Sequence, residues 1–336
     1  MIKIGVIGVG HLGKIHLNCL KHIETIDLIG FYDTNDIMAK EVEQVYHIKR
    51  FSTEMDLINQ CDAIDIVAPT SCHHTIAMHA LRMGKHVFLE KPITSTLADA
   101  QEIVTYSKTN NLKVQVGHVE RFNDAYLEAK PYLHNPLFVE AHRLAEFNPR
   151  GTDVSVVLDL MIHDIDILLN MIKSPISYIS ANGVSIVSHQ PDIANARIEF
   201  VNGATANLTA SRIALKKMRK MRVFQPNAYI TMDFLVKEAD IMRLRDYVPE
   251  DDNDAFPLIV DLGENRGKKR IFIESPRKPS INAIETELQT FADSIINDKP
   301  CQISAEDGYK ALEVAYQIMD IMEKQTQKIK QSPQNL

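Results

Sequence analysis

Thirteen residues at the start of the chain restrict its fold more than any other stretch. Ile2, Ile4, Val6 and Ile7 make a short apolar run that reads as a buried strand. Gly8, Gly10 and Gly13 then give the spacing G-x-G-x-x-G where that strand should pass into a helix. Gly8 allows the tight turn, Gly10 lets the backbone approach a pyrophosphate, and Gly13 lets helix and strand pack closely. His11 and Leu12 fall in the first helical turn, whose free N–H groups and positive dipole end favour phosphate. A glycine triplet alone also suits a tight turn in some other α/β protein. Here a second strand, Ile26 to Tyr32, ends at Asp33, twenty residues past Gly13. A carboxylate at that place accepts hydrogen bonds from an adenosine ribose. It would also repel the 2′-phosphate of NADP, and no arginine follows in Thr34-Asn35-Asp36, so NAD is expected over NADP.

The pattern continues as alternating strands and helices to about residue 118. Further strands read as Ala63–Val67, His86–Leu89 and Val114–Val116, with helices starting near Asn35, Thr53, His73 and Ser95. Such alternation predicts a doubly wound parallel sheet, a Rossmann dinucleotide-binding domain over residues 1–119. Pro69 and Thr70 close the third strand at the edge where ligands bind in such sheets. Residues 120–330 read as a second domain. Its predicted elements are a helix over Arg121–Leu133, a strand over Leu137–Leu144 and an apolar helix over Val157–Ile172. Runs at Ile176–Val187, Ala194–Phe200, Ala204–Ser211, Arg222–Phe224, Tyr229–Phe234, Asp240–Leu244 and Arg270–Glu274 predict an open, largely antiparallel sheet with helices on one face. Helices over Ile281–Ile296 and Ala305–Lys324 should close the chain. Loops are expected around Asn148–Gly151 and at the acidic run Glu250–Asp254, and a polar tail after Lys328.

Composition narrows the function classes. A net charge of −7 gives no global attraction for nucleic acid or an anionic membrane. No apolar run reaches the ~18 residues of a membrane span, and the start has no leader pattern, so a cytoplasmic protein is expected. The four cysteines, Cys19, Cys61, Cys72 and Cys301, form no C-x-x-C pair, which suggests neither a zinc site nor a disulfide framework.

A strand over His86–Leu89 runs into Glu90-Lys91-Pro92, with His73 seventeen residues before Glu90. Together with the glycine spacing, Asp159-Leu160-Met161-Ile162-His163 and the two C-terminal helices, this chain closely resembles the family of glucose–fructose oxidoreductase and inositol dehydrogenase. The resemblance covers nearly the whole chain. It implies an N-terminal Rossmann domain plus a C-terminal α/β domain whose open sheet often makes the oligomer interface, as a homodimer or homotetramer. Pro69, Thr70, His73, Glu90 and Lys91 join the glycine loop and Asp33 as the expected cofactor set.

Oxidation of a secondary alcohol needs a dinucleotide, a base for the hydroxyl proton and a cation for the developing alkoxide. Lys91 ends a strand at the ligand edge, where its ammonium can reach a substrate oxygen; the alternative is a surface lysine before a helix. In the family the Lys-Pro bond is commonly cis. Asp159 and His163 are four apart in a helical pattern and share a face among apolar neighbours. The resemblance makes His163 the general acid/base and Asp159 its substrate-binding support; the alternative is a capping or core histidine. Asp164 and Asp166 beside His163 invite a metal reading, rejected because adjacent helical positions diverge.

Gly117-His118-Val119-Glu120-Arg121-Phe122-Asn123 looks like the form found in family members that act on nucleotide sugars. That implies oxidation at C3 of a UDP-N-acetylhexosamine, with Arg121, Asn123, Asp159 and Arg212 on the substrate. Five positive charges in the seven residues Lys216–Arg222 suit a diphosphate, or else a solvated hairpin. A free polyol such as inositol remains the second substrate class. An NAD-dependent glycosidase and a non-catalytic NAD-binding regulator are the other readings; the presence of Lys91, Asp159 and His163 argues against the regulator.

Overall fold

In the computed structural model, residues 1–148, 154–248, 258–263, 267–277 and 280–331 are described. Pro149–Gly151 of the expected loop, the acidic run Glu250–Asp254 and the tail past Gln331 lie outside them. The chain divides into two compact units. The first holds Met1–Phe122 and Ile281–Val314, the second Asn123–Ser280 and Ala315–Leu336.

The first unit is built on a five-stranded parallel sheet. Its strands are β1 (Ile2–Ile7), β2 (Ile26–Tyr32), β3 (Ala63–Ile66), β4 (His86–Glu90) and β5 (Val114–Gly117), in the order β2-β1-β3-β4-β5. Between them run α1 (His11–Leu20), α2 (Asp36–Tyr46), α3 (Glu54–Gln60), α4 (Thr70–Arg82) and α5 (Leu97–Thr109). Apolar strands buried on both faces are what such a sheet requires; Ile4, Val6, Ile64, Ile66, Val87 and Leu89 are all at most 1% exposed. Helix α4 starts three residues before the expected His73, because Pro69 stands at its N-cap.

The expected boundary differs at the C-terminal end. Residues 281–314 return to the first unit, so the second domain does not run unbroken from 120 to 330. Helix α8 (Ala283–Ile296) presses Leu288, Phe291 and Ala292 into the same apolar cluster as Ile4, Leu17 and Phe88. Ser304 makes an isolated antiparallel bridge to Gln115 of β5. Helix α9 (Ala305–Gln331) follows and continues past the expected end at Lys324.

Among its described residues the second unit carries nine strands: β6 (Phe138–Leu144), β7 (Ile176–Val184), β8 (Ile193–Phe200), β9 (Thr205–Ser211), β10 (Met218–Gln225), β11 (Ala228–Asp233), β12 (Glu238–Asp246), β13 (Leu258–Asp261) and β14 (Lys268–Glu274). They form one sheet in the order β13-β14-β12-β11-β10-β6-β9-β8-β7, antiparallel except for the β6–β9 pair. Helix α6 (Asp124–Ala129) lies on β11 and β12, and α7 (Ile162–Met171) on β6. Strand β10 is longer than expected and takes Arg219, Lys220 and Arg222 into the sheet. The predicted helix over Arg121–Leu133 is broken into a 3-10 turn over Val119–Phe122, α6, and a second 3-10 turn over Lys130–Tyr132. Among the described residues, no helix is long and apolar enough to cross a membrane.

Candidate functional site

All five parallel strands leave the first sheet at one edge, and the expected cofactor residues gather there. Gly8 follows β1 with φ +96°, a left-handed conformation that glycine adopts without strain. A Cβ on Gly13 would lie 2.1 Å from the Gly8 carbonyl oxygen, so only glycine lets α1 sit this close to the turn. At Gly10 the same test meets nothing within 4 Å. Open space therefore stands over the N-terminus of α1, where a phosphate would lie.

Capping separates the helices of this unit into two kinds. Side chains of Asn35, Thr53 and Thr96 cap α2, α3 and α5. Helices α1 and α4 begin at Gly10 and Pro69 with no side-chain cap. Their strands, β1 and β3, flank the point where strand order reverses, which is where dinucleotides bind in such sheets. Orphan N–H groups at those two ends suit a pyrophosphate. Asp33 fits as well: its Oδ2 accepts the Val9 N–H and its Oδ1 the Asn35 N–H, each at 2.8 Å, which fixes the carboxylate beside the glycine turn. Arg50 pairs with Asp36. The residues present fit a nicotinamide dinucleotide.

Lys91 follows β4, half-buried, and the Lys91–Pro92 peptide is cis. His73 is buried on α4, with Nδ1 3.0 Å from the Pro92 carbonyl oxygen and Nε2 2.9 Å from that of Ala68. Burial pushes its pKa down, against the pull of those carbonyls. It ties the loop after β3 to the Lys91–Pro92 turn, a framework role on the edge where Pro69 and Thr70 lie; His11 is exposed and Leu12 half-buried in the first turn of α1. Sequence reasoning passed over His16 and Asp65, both fully buried beside Glu90. An acid in the middle of the apolar run Ala63–Ile66 is the signal that finds them.

Arg121 turns to its own unit. Its Nη1 donates to the Gln302 carbonyl at 3.4 Å, and Nη2 lies 3.7 Å from Asp307. This ties the end of the 3-10 turn to the returning segment.

In the second unit, Asp159 is exposed and His163 half-buried, but the helix around them is not the one the spacing predicts. Val157–Met161 is a π-turn, and the α-helix begins only at Ile162. Such turns are frequent at functional sites, and here one re-aims Asp159 relative to His163. Asp164 is held by Arg143, buried with it, in a two-pronged pair at 2.8 and 3.0 Å. That anchors α7 to β6. Asn123 caps α6, with Oδ1 on the Ala125 N–H and Nδ2 donating to Phe234 O at 3.0 Å. Arg212 is buried and donates to the Val154 carbonyl. Both bonds belong to the frame of this unit. The Arg212 tie places the loop 212–217 against the chain entering the Asp159 turn, and Lys216 and Lys217 stand exposed on that loop. The rest of the basic run is partly neutralised: Lys220 pairs with Asp233 and Arg222 with Glu140, each at 3.1 Å.

Comparisons with known proteins agree with this geometry. Residues 2–118 match the oxidoreductase family with an NAD-binding Rossmann fold, and residues 131–231 the GFO/IDH/MocA C-terminal domain. The UDP-N-acetylglucosamine 3-dehydrogenase of Acidithiobacillus ferrooxidans is 32% identical over 94% of this chain and 96% of its own. Its solved structure superposes with a TM-score of 0.85, over 96% of this chain and 98% of that one. Myo-inositol 2-dehydrogenase of Thermotoga maritima is 24% identical over 94% of both chains. A scyllo-inositol dehydrogenase from Lactobacillus casei, solved with NAD(H) and scyllo-inositol, shares the fold at a TM-score of 0.76 and 22% identity, over 97% of this chain and 98% of that one. With a glycine turn shaped for a dinucleotide, two uncapped helix ends at the strand-order switch and likeness along both units, the chain belongs to the GFO/IDH/MocA family of NAD-binding oxidoreductases.

Proposed function

We propose that this enzyme oxidises the C3 hydroxyl of a UDP-N-acetylhexosamine, using NAD rather than NADP. Likeness along nearly the whole of both chains to a UDP-N-acetylglucosamine 3-dehydrogenase carries the substrate class. Bound NAD supplies a hydride acceptor for the carbon. The rest of the chemistry belongs to side chains. His163 takes the hydroxyl proton as general base, and Asp159 binds the sugar and supports that transfer. Lys91 sets its ammonium against the same oxygen and stabilises charge as it develops there. Lys216 and Lys217, both exposed, meet the diphosphate. The all-thiol state of the four cysteines fits a reducing compartment, the cytoplasm. A homodimer or homotetramer forms across the face of the larger sheet that bears Phe224, Met242 and Ile273.

The test is NADH formation with UDP-N-acetylglucosamine, UDP-N-acetylgalactosamine, free N-acetylglucosamine and myo-inositol. One UDP-sugar should exceed both free compounds in kcat/KM by about a hundredfold or more, the scale of a few polar contacts. UDP alone should compete with it. Turnover of myo-inositol at a matching kcat/KM would overturn the nucleotide-sugar reading in favour of a polyol dehydrogenase, the activity named for the Thermotoga maritima relative.

A further inference from the structure

Two buried groups, His16 and Asp65, and the half-buried Glu90 form a chain in the first unit that ends at the backbone of Lys91. His16 lies on α1 and is wholly buried. Its Nδ1 is 2.9 Å from Asp65 Oδ2 on β3, and its Nε2 is 3.3 Å from Glu90 Oε1 at the end of β4. The other oxygen of Glu90, Oε2, accepts the Lys91 backbone N–H at 3.2 Å. On the neighbouring strand, Gly117 leaves the room that this carboxylate occupies: a Cβ there would lie 2.8 Å from Oε1. The edge of Phe88 closes the site, its ring centroid 5.9 Å from that of His16.

A proton on the imidazole would pair it with both carboxylates, since an unpaired buried charge is expensive, although burial also pushes the Asp65 carboxyl up. Burial alone would drive the His16 pKa down. The charges and hydrogen bonds of Asp65 and Glu90 outweigh it and raise the pKa well above the usual histidine value. The imidazole thus links three elements through its two ring nitrogens: the helix that starts at the glycine turn, β3 and the end of β4.

We infer that His16 is a positioning residue for the reaction, holding Glu90, and through Glu90 the backbone of Lys91, in register with α1. The inference rests on the assignment of Lys91 to the substrate oxygen. His16 is too deeply buried to meet substrate, so it acts through Glu90. A histidine that merely filled space would lower stability without singling out turnover.

The experiment compares His16→Asn, Glu90→Gln, Gly117→Ala and Lys91→Ala, and the double variant His16→Asn with Lys91→Ala. For each, kcat, sugar KM, NAD Kd and melting temperature are measured. His16→Asn, Glu90→Gln and Gly117→Ala should each lower kcat by about 10- to 100-fold, the scale of a roughly 1 Å misplacement. Sugar KM should stay within about threefold in all three, and NAD Kd within about threefold in His16→Asn and Gly117→Ala. In the double variant His16→Asn should cost nothing beyond Lys91→Ala, since the group being positioned is gone. Where His16→Asn alone does not fold, His16→Asn with Asp65→Asn leaves one carboxylate near the surface and should restore the melting temperature but not kcat. Glu90→Gln, at a half-buried side chain, gives the same readout independently. Native kcat in folded Glu90→Gln or His16→Asn/Asp65→Asn overturns the inference, as does a loss that adds in full to Lys91→Ala. Near-native kcat in Lys91→Ala is a separate result: it removes the lysine from the mechanism and His16 with it.

Discussion

Asp33 receives two backbone N–H groups, one from the glycine turn and one from the start of α2, so its carboxylate cannot swing aside to admit a 2′-phosphate. Cofactor choice should therefore follow this side chain. Asp33→Ser together with Thr34→Arg exchanges the repelling anion for a cation on an exposed position. The ratio of kcat/KM for NAD to that for NADP should fall by about a hundredfold, and steady-state kinetics with both cofactors measures it. Native enzyme that already prefers NADP tenfold would contradict the assignment. The place of Asp33 at the end of β2 was legible because it follows from spacing alone. The frame bonds of Asn123 and Arg212 were not. Residue type shows that each has donors to offer, but their acceptors, Phe234 and Val154, lie 111 and 58 residues away in sequence. The same holds for the basic run, whose neutralising Glu140 stands 82 residues from Arg222.

Among elements, those of the first unit could be read because continuous apolar runs and glycine spacing each allow few structures. The start of α7 could not, since apolar periodicity does not separate a π-turn from an α-turn over five residues. Strand β13 left no trace either: all four of its residues are exposed, so it has no alternation to detect. Helix α1 offers a sharp comparison between two glycines. Gly13→Ala puts a methyl into the Gly8 carbonyl and must push the helix off the turn, at a cost of roughly 1–3 kcal/mol. Gly10→Ala puts the same methyl into open space. Both should weaken NAD binding by tenfold or more, by displacing the turn in one case and crowding the phosphate in the other. Only Gly13→Ala should lower the melting temperature of the cofactor-free protein. Calorimetric titration with NAD and thermal denaturation distinguish them; an equal drop in melting temperature for both would show that Gly10 also serves the fold.

At the scale of the whole molecule, the sequence showed two domains but not that the chain comes back. The pattern of α8 says that one face is buried, and nothing in it says against which sheet; Phe291 stacks edge-on with Phe88, 5.8 Å between centroids, and so decides it. The nine-stranded sheet poses the opposite problem, a face with no cover among the described residues. Outward positions include Phe224, Met242, Leu244, Leu258 and Ile273, between 36% and 59% exposed. They stand on β10, β12, β13 and β14, and β10 to β14 are consecutive neighbours across β11 and β12. Apolar side chains on so many adjacent strands are where the proposed oligomer would associate. A second copy laid on this face would meet the ~1,200–2,000 Å² typical of a stable interface only by using much of the sheet. Charges at its centre should then be costly. Met242→Glu with Ile273→Asp should convert the native oligomer to monomer at micromolar concentration, read by light scattering after gel filtration. Circular dichroism should show the same secondary structure, because both side chains point away from the core. A native protein that is monomeric at tens of micromolar, or a double variant that keeps the native mass, would place the oligomer contact elsewhere or remove it.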